Sequence, residues 1–201
     1  VYTVSHDLKS PLITIHGFIG LAESDLDEGD LASVREDHEH IASAAKTMKA
    51  LLDDLLELSR LGRVVNEPTE FGLFELATEV SQLLHGVTAR VGIEVRIARD
   101  LPVVLADRSR MLEVLQNLIE NAAKYMGEQP EPIIEVGTGC DDEGLFVYVR
   151  DNGIGIKPEF HHKVFGLFEQ LMPGAGGTGV GLALVARIIE LHHGRIWIES
   201  E

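Results

Sequence analysis

The stretch DRSRMLEVLQNLIENAAKY, Asp107–Tyr125, decides the fold of the second part of this sequence. Asp107 is placed to cap a helix at its N-terminus. The apolar residues of that helix recur at spacings of three and four, at Met111, Leu115, Leu118 and Ala122. Strands are predicted on both sides of it, VVLA before, and PIIEVGTG with LFVYVRD around the turn CDDEG after. This order predicts a mixed α/β domain with helices layered on a sheet.

The flanking segments extend the same pattern. We predict a helix over Leu73–Leu84, a half-buried strand over Ile93–Ile97, a helix from about Val180 to His192, and a last strand in RIWIES. The linker RLGRVVNEPTEFG breaks the helical period before this domain with two glycines and a proline. The predicted domains are therefore 1–65 and 66–201.

The first domain is predicted to be a helical hairpin. Its helices carry apolar stripes at Leu8, Leu12, Ile15, Ile19, Ala22 and Leu26, and at Ile41, Ala45, Met48, Leu51, Leu52, Leu55 and Leu58. Asp27–Asp30 supplies the turn. Helices of this length leave much of each stripe open when they pair only with each other, so we predict a homodimeric four-helix bundle. The alternative is packing against the rest of the same chain.

Composition narrows the function classes. The 201 residues carry a formal net charge of -16, which argues against nucleic acid or an anionic membrane surface as a generic partner. Cys140 is the only cysteine, so no intramolecular disulfide is possible. No apolar run is long enough to span a bilayer. We expect a cytoplasmic fragment of a larger protein, attached to a membrane only through an upstream region, if at all.

The predicted helix after Asp107 carries candidate ligands. Asn117 and Asn121 are four residues apart and share one face, and their amide oxygens suit a Mg²⁺ ion that also binds phosphates. Lys124 lies further along that face and can contact a phosphate. The alternative is a pair of ordinary surface or capping asparagines.

Two glycine-rich segments complete a candidate nucleotide pocket. In DNGIGI, Asp151 ends a strand and can accept a hydrogen bond from an exocyclic amine, while Gly153 and Gly155 permit close backbone approach to a ligand. In GGTGVGLAL, glycines precede a helix whose N-terminal N–H groups suit polyphosphate.

The segment SHDLKSPL, residues 5–12, contains a candidate nucleophile. On a helical projection His6 lies about 160° from Leu8, so it points away from the apolar stripe. Asp7 could hold one imidazole tautomer, and Pro11 removes the hydrogen-bond partner of the Asp7 carbonyl. The alternative is an ordinary surface histidine. The adjacent pairs His161/His162 and His192/His193 suit a metal poorly, and we expect them at the surface.

Together these segments resemble the catalytic core of a sensor histidine kinase from a two-component system. SHDLKSPL matches the H box, NLIENAAKY the N box, DNGIGI the G1 box, VFGLFEQL the F box and GGTGVGLAL the G2 box. The resemblance implies an α+β protein, a dimerisation and phosphotransfer hairpin followed by an α/β sandwich of the Bergerat (GHKL) type. It also implies an ATP-dependent protein-histidine kinase that autophosphorylates on His6 and passes the phosphoryl group to an aspartate of a response regulator receiver domain.

The resemblance assigns roles to individual residues. His6 accepts the γ-phosphoryl group of ATP, and Asp7 acts as base or orienting group. Asn117 and Asn121 help to bind Mg²⁺, Lys124 contacts phosphate, and Asp151 binds the adenine amino group. Tyr125 lies near the nucleotide, and Phe165 and Phe168 pack the lid against the ATP-binding domain. The pocket and its lid are shaped by Gly153, Gly155, Gly177, Thr178, Gly179, Gly181 and Leu182.

Three departures from the family pattern keep alternatives open. Ser10 stands where kinases that dephosphorylate their regulator usually have threonine or asparagine. Residues 171–179 contain no lysine or arginine, and the sequence stops after RIWIES, where relatives continue into a further strand. The rivals are a nonenzymatic dimeric signalling scaffold and a GHKL-type ATPase. Asn117 argues against the ATPase, because related ATPases place a water-activating glutamate there.

Overall fold

Two antiparallel helices form a hairpin at the start of the chain. The structure, a computed structural model, describes residues 2–61, 66–169 and 178–200, but not the side chains at 2–8, 54 and 57–61. Helix α1 spans Tyr2–Glu28 and α2 spans Leu31–Leu61. Gly29, at φ 77°, lies in the turn, and Asp30 Oδ1 accepts hydrogen bonds from the N–H groups of Ala32 at 3.1 Å and Ser33 at 3.2 Å. The predicted hairpin is confirmed.

The hairpin buries only part of the apolar stripe predicted for α1. Ile15 and Ala22 are half-buried, whereas Leu12, Ile19 and Leu26 remain 52%, 45% and 59% exposed. The face of α1 that packs on α2 is rotated from the predicted stripe, and on this face Phe18 stacks against His40 of α2. An apolar strip of α1 is therefore left uncovered in a single chain, as expected if two helices cannot cover each other's stripes.

The chain divides into two compact units. The first contains residues 1–62 and 166–181, and the second contains 63–165 and 182–201. Within the first unit, Phe168 and Val180 pack on Leu51 and Leu55 of α2 in one small apolar cluster.

The second unit contains two small sheets. Strand β1 (Thr69–Gly72) pairs antiparallel with β3 (Val103–Ala106). Strand β2 (Glu94–Ile97) runs parallel to β4 (Ile133–Asp141), which pairs antiparallel with β5 (Gly144–Asp151) through a tight turn. The helices are α3 (Leu73–Leu83), α4 (His85–Val91), α5 (Arg108–Lys124) and α6 (Gly181–Leu191), the last beginning at the unit boundary; a short 3-10 turn covers Pro158–Phe160.

The core of this unit lies between the helices and the three-stranded sheet. Leu76 of α3, Ile119 of α5 and Ile134 of β4 are fully buried in one apolar cluster, together with Met126 just beyond α5. Helices on one face of a sheet are the arrangement that the sequence predicted, and the predicted α+β class is confirmed. None of the helices in the described part of the chain combines the length and apolarity needed to cross a bilayer.

The predicted last strand is wrong. Residues 195–200 form no strand and are instead held by side chains. Trp197 packs edge-on against Phe146 of β5 at 5.2 Å, and Arg195 binds Glu143 at 2.6 Å. Alternating burial indicates an extended segment with one covered face, but it does not require a neighbouring strand in hydrogen-bonding register.

Candidate functional site

Helix α5 begins at a buried carboxylate. Asp107 is only 2% exposed, and its Oδ1 accepts hydrogen bonds from Ser109 N at 3.1 Å, Ser109 Oγ at 2.6 Å and Arg110 N at 3.3 Å. This is the predicted N-cap, and it is confirmed. Burial acts to raise the pKa of Asp107, but the hydrogen bonds from Ser109, Arg110 and Asn66 outweigh it, so the pKa lies below the usual aspartate value.

The Asp107 carboxylate also binds Asn66, near the start of the second unit. The sequence analysis did not predict this contact. Asn66 donates to Asp107 Oδ2 from its backbone N–H at 3.2 Å and from Nδ2 at 3.0 Å, and Nδ2 also donates to Ser109 Oγ at 3.0 Å. Asn66 lies 41 residues before Asp107, and no local spacing signals such a contact.

His192 also contacts this N-terminus and is not the surface residue that we expected. The half-buried ring accepts a hydrogen bond at Nε2 from Asp107 N at 3.2 Å, and Nδ1 donates to Ile188 O at 2.8 Å. These partners fix a neutral tautomer with the proton on Nδ1. The end of α6, the start of α5 and the segment at Asn66 are therefore joined at Asp107.

The two asparagines of α5 lie on its half-buried side. Asn117 Nδ2 donates to Glu113 O at 2.9 Å, and because a carbonyl only accepts, this bond leaves Oδ1 as the ligand atom. Asn121 lies one turn further on, and its backbone carbonyl accepts from Tyr125 N at 3.0 Å. Lys124 Nζ lies 4.7 Å from the centre of the Tyr125 ring.

The C-terminal end of α5 meets the loop after β5. Ile154 N donates to Tyr125 O at 3.1 Å, and Asp151 Oδ1 accepts from Gly153 N at 2.8 Å. A Cβ on Gly153 would lie 2.5 Å from Tyr125 O and 3.1 Å from Met126 Cα, so only glycine allows this approach. Asp151 is exposed, and Gly155 has a φ of 69°. The structure thus brings the predicted asparagine helix and the DNGIGI loop together.

Of the remaining predicted lid residues that the structure describes, all but Phe165 and Leu182 belong to the first unit. Phe168 (φ 64°) donates from its N–H to Gly179 O at 2.9 Å, and a Cβ on Gly179 (φ 72°) would lie 2.7 Å from the Phe168 carbonyl carbon. The side chain of Phe168 packs on Leu51 and Val180. This corrects the expectation that Phe168 packs the lid against the ATP-binding domain. Thr178 is half-buried, as are Gly181 and Leu182 at the start of α6, whereas Phe165 lies in the second unit.

Part of the predicted site lies outside the described residues. His6 and Asp7 fall in α1, but their side chains are not described, and Gly177 lies in an undescribed segment. Ser10 is exposed, and its carbonyl accepts from Thr14 Oγ1 at 3.2 Å. Helix α1 continues through Pro11.

The donor set suits a magnesium ion bound jointly with phosphates. In the described part of the chain, no group of three or more His, Cys, Asp or Glu side chains could hold a metal. Asn117 and Asn121 offer neutral amide oxygens, and Mg²⁺ keeps several ligands from water or phosphate. The residues therefore fit an ion that arrives with a polyphosphate, rather than one held by the protein alone.

Sequence comparison defines the class of protein. Residues 1–63 match the His Kinase A (phospho-acceptor) domain, and residues 106–201 match the histidine kinase-, DNA gyrase B-, and HSP90-like ATPase domain. The class is thus a phospho-acceptor hairpin followed by an ATP-binding domain of the GHKL type.

Individual relatives agree with this class. The methanogenesis regulatory histidine kinase FilI of Methanothrix harundinacea is 50% identical over 201 residues, which is 100% of this chain and 23% of the relative. The crystal structure of histidine kinase ThkA in complex with response regulator TrrA has a TM-score of 0.75 at 28% identity, over 100% of this chain and 57% of that one. Full-length ShkA in complex with AMPPNP has a TM-score of 0.66 at 25% identity, over 100% and 42%.

This chain belongs to the sensor histidine kinase family of two-component systems, and the predicted resemblance is confirmed. It spans between about a quarter and about half of the length of the curated relatives that it matches, for example 23% of FilI and 52% of the adaptive-response sensory kinase SasA from Prochlorococcus marinus.

Proposed function

We propose that this chain transfers the γ-phosphoryl group of ATP to His6 and then to an aspartate of a response regulator. The observation that carries the proposal is the junction of α5 with the DNGIGI loop, where Ile154 N binds Tyr125 O and Gly153 allows close backbone contact. This junction brings an amide-bearing helix face and the exposed Asp151 into one unit. The names of the relatives support the same activity: FilI is a histidine kinase, and ThkA was solved with a response regulator.

The proposed reaction uses ATP as the phosphoryl donor. A lone pair of the His6 imidazole forms the nitrogen–phosphorus bond while the bond from the γ-phosphorus to the bridging oxygen breaks, and ADP leaves. Asp7 would hold the proton on the other ring nitrogen, which leaves the attacking nitrogen unprotonated. Phosphoryl transfer depends mainly on positioning and on neutralising charge.

The residues of the second unit would position the nucleotide. Asp151 would accept a hydrogen bond from the adenine amino group, and Lys124 would contact phosphate. Asn117 and Asn121 would ligate Mg²⁺, which neutralises phosphate charge when bound. Gly177, Gly179 and Gly181 would let the backbone of the lid approach the phosphates.

We also propose that the hairpin forms the homodimer. Leu12, Ile19 and Leu26 on α1 and Leu52 and Leu56 on α2 are exposed leucine and isoleucine side chains on a hairpin of two amphipathic helices. Pairing two copies would cover them in a four-helix bundle. The cytoplasmic location and an upstream membrane anchor stay predictions.

Phosphorylation of purified protein tests the function. We expect incubation with γ-labelled ATP and Mg²⁺ to give a protein-bound label that is stable to alkali and labile to acid. His6→Gln should abolish it, whereas His16→Gln, a change at an exposed position of the same helix, should retain it. Equal labelling of wild type and His6→Gln would refute the proposal.

The same experiment separates the rivals. A GHKL-type ATPase would release phosphate steadily without labelling the protein, and a nonenzymatic scaffold would show no ATP binding by calorimetry with Mg²⁺. Transfer is tested by adding purified receiver domains and following the label from His6 to an aspartate.

A further inference from the structure

An aspartate occupies a core position of α2. Among the α2 side chains that the structure describes, the most buried are spaced by seven residues, and half-buried apolar residues lie between them. The buried ones are Asp37 (7% exposed), Ala44 and Leu51, and the half-buried ones are Val34, Ile41, Met48 and Leu55. Such a stripe is normally apolar throughout, because it faces the partner helix. Asp37 breaks the pattern at the end of the hairpin near the turn.

A second acid faces Asp37 from α1. Asp25 follows the half-buried positions Ile15, Phe18 and Ala22 on the face of α1 that packs on α2, and it is itself half-buried. Asp37 acts on Asp25 both through its charge and as a side-chain hydrogen-bond partner, and both effects raise the pKa of Asp25. With both groups ionised, however, Asp37 Oδ2 is buried and has no hydrogen-bond partner in the described part of the chain. Two facing carboxylates cannot hydrogen-bond, because each can only accept.

No cation is among the groups that shift the pKa of Asp25. The groups that act on Asp25 are all acidic: Glu28 on α1, Asp30 in the turn and Asp37 on α2. Asp30 cannot serve as a donor, because its oxygens accept from the start of α2. His38, next to Asp37, uses its Nδ1 to bind Val34 O at 2.8 Å.

We propose that Asp25 and Asp37 bind one shared proton, and that this proton closes the hairpin at its turn. The proton comes from solvent: one carboxyl group becomes neutral, and its O–H donates to the carboxylate opposite. The bond would give Asp37 Oδ2 a partner and remove the repulsion between two facing charges. Two carboxylates alone are too few ligands for a divalent cation in a protein cage, which favours the proton over a metal.

The pH dependence follows from the same groups. Burial, then the charges of Asp37, Asp30 and Glu28, and then the hydrogen bond with Asp37 raise the pKa of Asp25 above the usual aspartate value. A carboxyl group whose pKa is raised on folding stabilises the folded state below its unfolded pKa. This stabilisation is lost as the pH rises through the folded value. The turn end of the hairpin should therefore be most stable below the ordinary aspartate pKa and lose stability as the pH rises above it.

Isosteric variants of the full chain test whether Asp25 and Asp37 share a proton. Asp37→Asn replaces the shared proton with a permanent N–H donor to Asp25. We expect wild-type stability to fall with rising pH above the ordinary aspartate range, with a linkage slope of up to about one proton. Asp37→Asn should remove that slope and be more stable than wild type at pH 8. Asp27→Asn, at an exposed position of the same turn of α1, removes an equal charge and should leave the slope unchanged.

A titration of the wild type does not depend on any variant. The side-chain carboxyl carbon of Asp25, followed by nuclear magnetic resonance, should titrate above the range of exposed aspartates. Titration in the ordinary range, or equal effects of Asp37→Asn and Asp27→Asn, would overturn the proposal. If millimolar Mg²⁺ or Ca²⁺ stabilised the wild type at pH 7.5 but not Asp37→Asn, the pair would be a metal site, and the shared proton would be refuted.

Discussion

Replacing Asp107 with alanine should destabilise the second unit more than loss of a helix cap alone. Asp107 accepts three hydrogen bonds as the cap of α5 and two more from Asn66. Loss of a cap costs about 1 kcal/mol in the free energy of unfolding. Each bond from Asn66 to the charged carboxylate contributes about 1.5 kcal/mol, the lower end for such bonds, because Asn66 is exposed and water can replace the acceptor. We therefore expect a total loss of about 4 kcal/mol.

A second aspartate provides the matched control. Asp30 caps α2 in the same way, accepting from Ala32 N and Ser33 N, but it is exposed and binds no distant segment. Asp30→Ala should cost only about 1 kcal/mol. Urea unfolding followed by circular dichroism measures both variants, and fluorescence of Trp197, the single tryptophan, reports on the unit that contains Asp107.

A double-mutant cycle isolates the contact with Asn66. Because Asn66→Ala removes the Nδ2 bond and keeps the backbone N–H, it should show a coupling energy of about 1.5 kcal/mol with Asp107→Ala. The reasoning is refuted if the coupling is below about 0.5 kcal/mol, or if Asp107→Ala costs no more than Asp30→Ala.

The lowered pKa of Asp107 makes the free energy of unfolding depend on pH in the acid range. Its stabilising effect is complete above the unfolded aspartate value of about 4 and is lost as the pH falls through the lower folded value. Wild type should therefore lose stability in acid more steeply than Asp107→Ala.

Three further outcomes are expected. Gly153→Ala places a Cβ 2.5 Å from Tyr125 O, so it should cost about 1–3 kcal/mol and weaken ATP binding measured by calorimetry. Gly86→Ala, in the first turn of α4 with nothing within 4 Å of the new Cβ, should instead stabilise by about 0.5 kcal/mol. Equal effects of the two changes would contradict the proposed close contact. Asn121→Asp should weaken Mg²⁺-dependent autophosphorylation without changing the molar mass in solution, and unchanged activity would show that the metal ligand is elsewhere. Ile19→Glu, on the exposed strip of α1, should convert a dimer to a monomer in light scattering, and a mass equal to that of wild type would argue against this interface.

Much of the candidate site was readable from local sequence. The cap at Asp107, the asparagines one turn apart on α5 and the glycines after β5 depend on neighbours within a few residues, so spacing and residue type suffice to predict them. The two helices of the hairpin were predictable for the same reason, because each is specified by its own periodicity.

Contacts between distant segments were decided only by the tertiary structure. Asn66 and His192 meet Asp107 across 41 and 85 residues, and their sequence surroundings resemble those of ordinary surface residues. The rotation of α1 toward Phe18, and the extended segment 195–200 without a ladder, likewise depend on which surfaces pack together.

The sequence by itself therefore determined most of the helices and strands, the hairpin, the family and the order of the boxes, because these follow from local periodicity and from short motifs. It did not predict α4 (His85–Val91) or β1 (Thr69–Gly72), which lies in the segment interpreted as a linker. The tertiary structure alone placed Asp25 against Asp37 and joined three segments at Asp107. Burial and hydrogen bonding between residues far apart in the chain arise only when the chain is packed, and no local pattern encodes them.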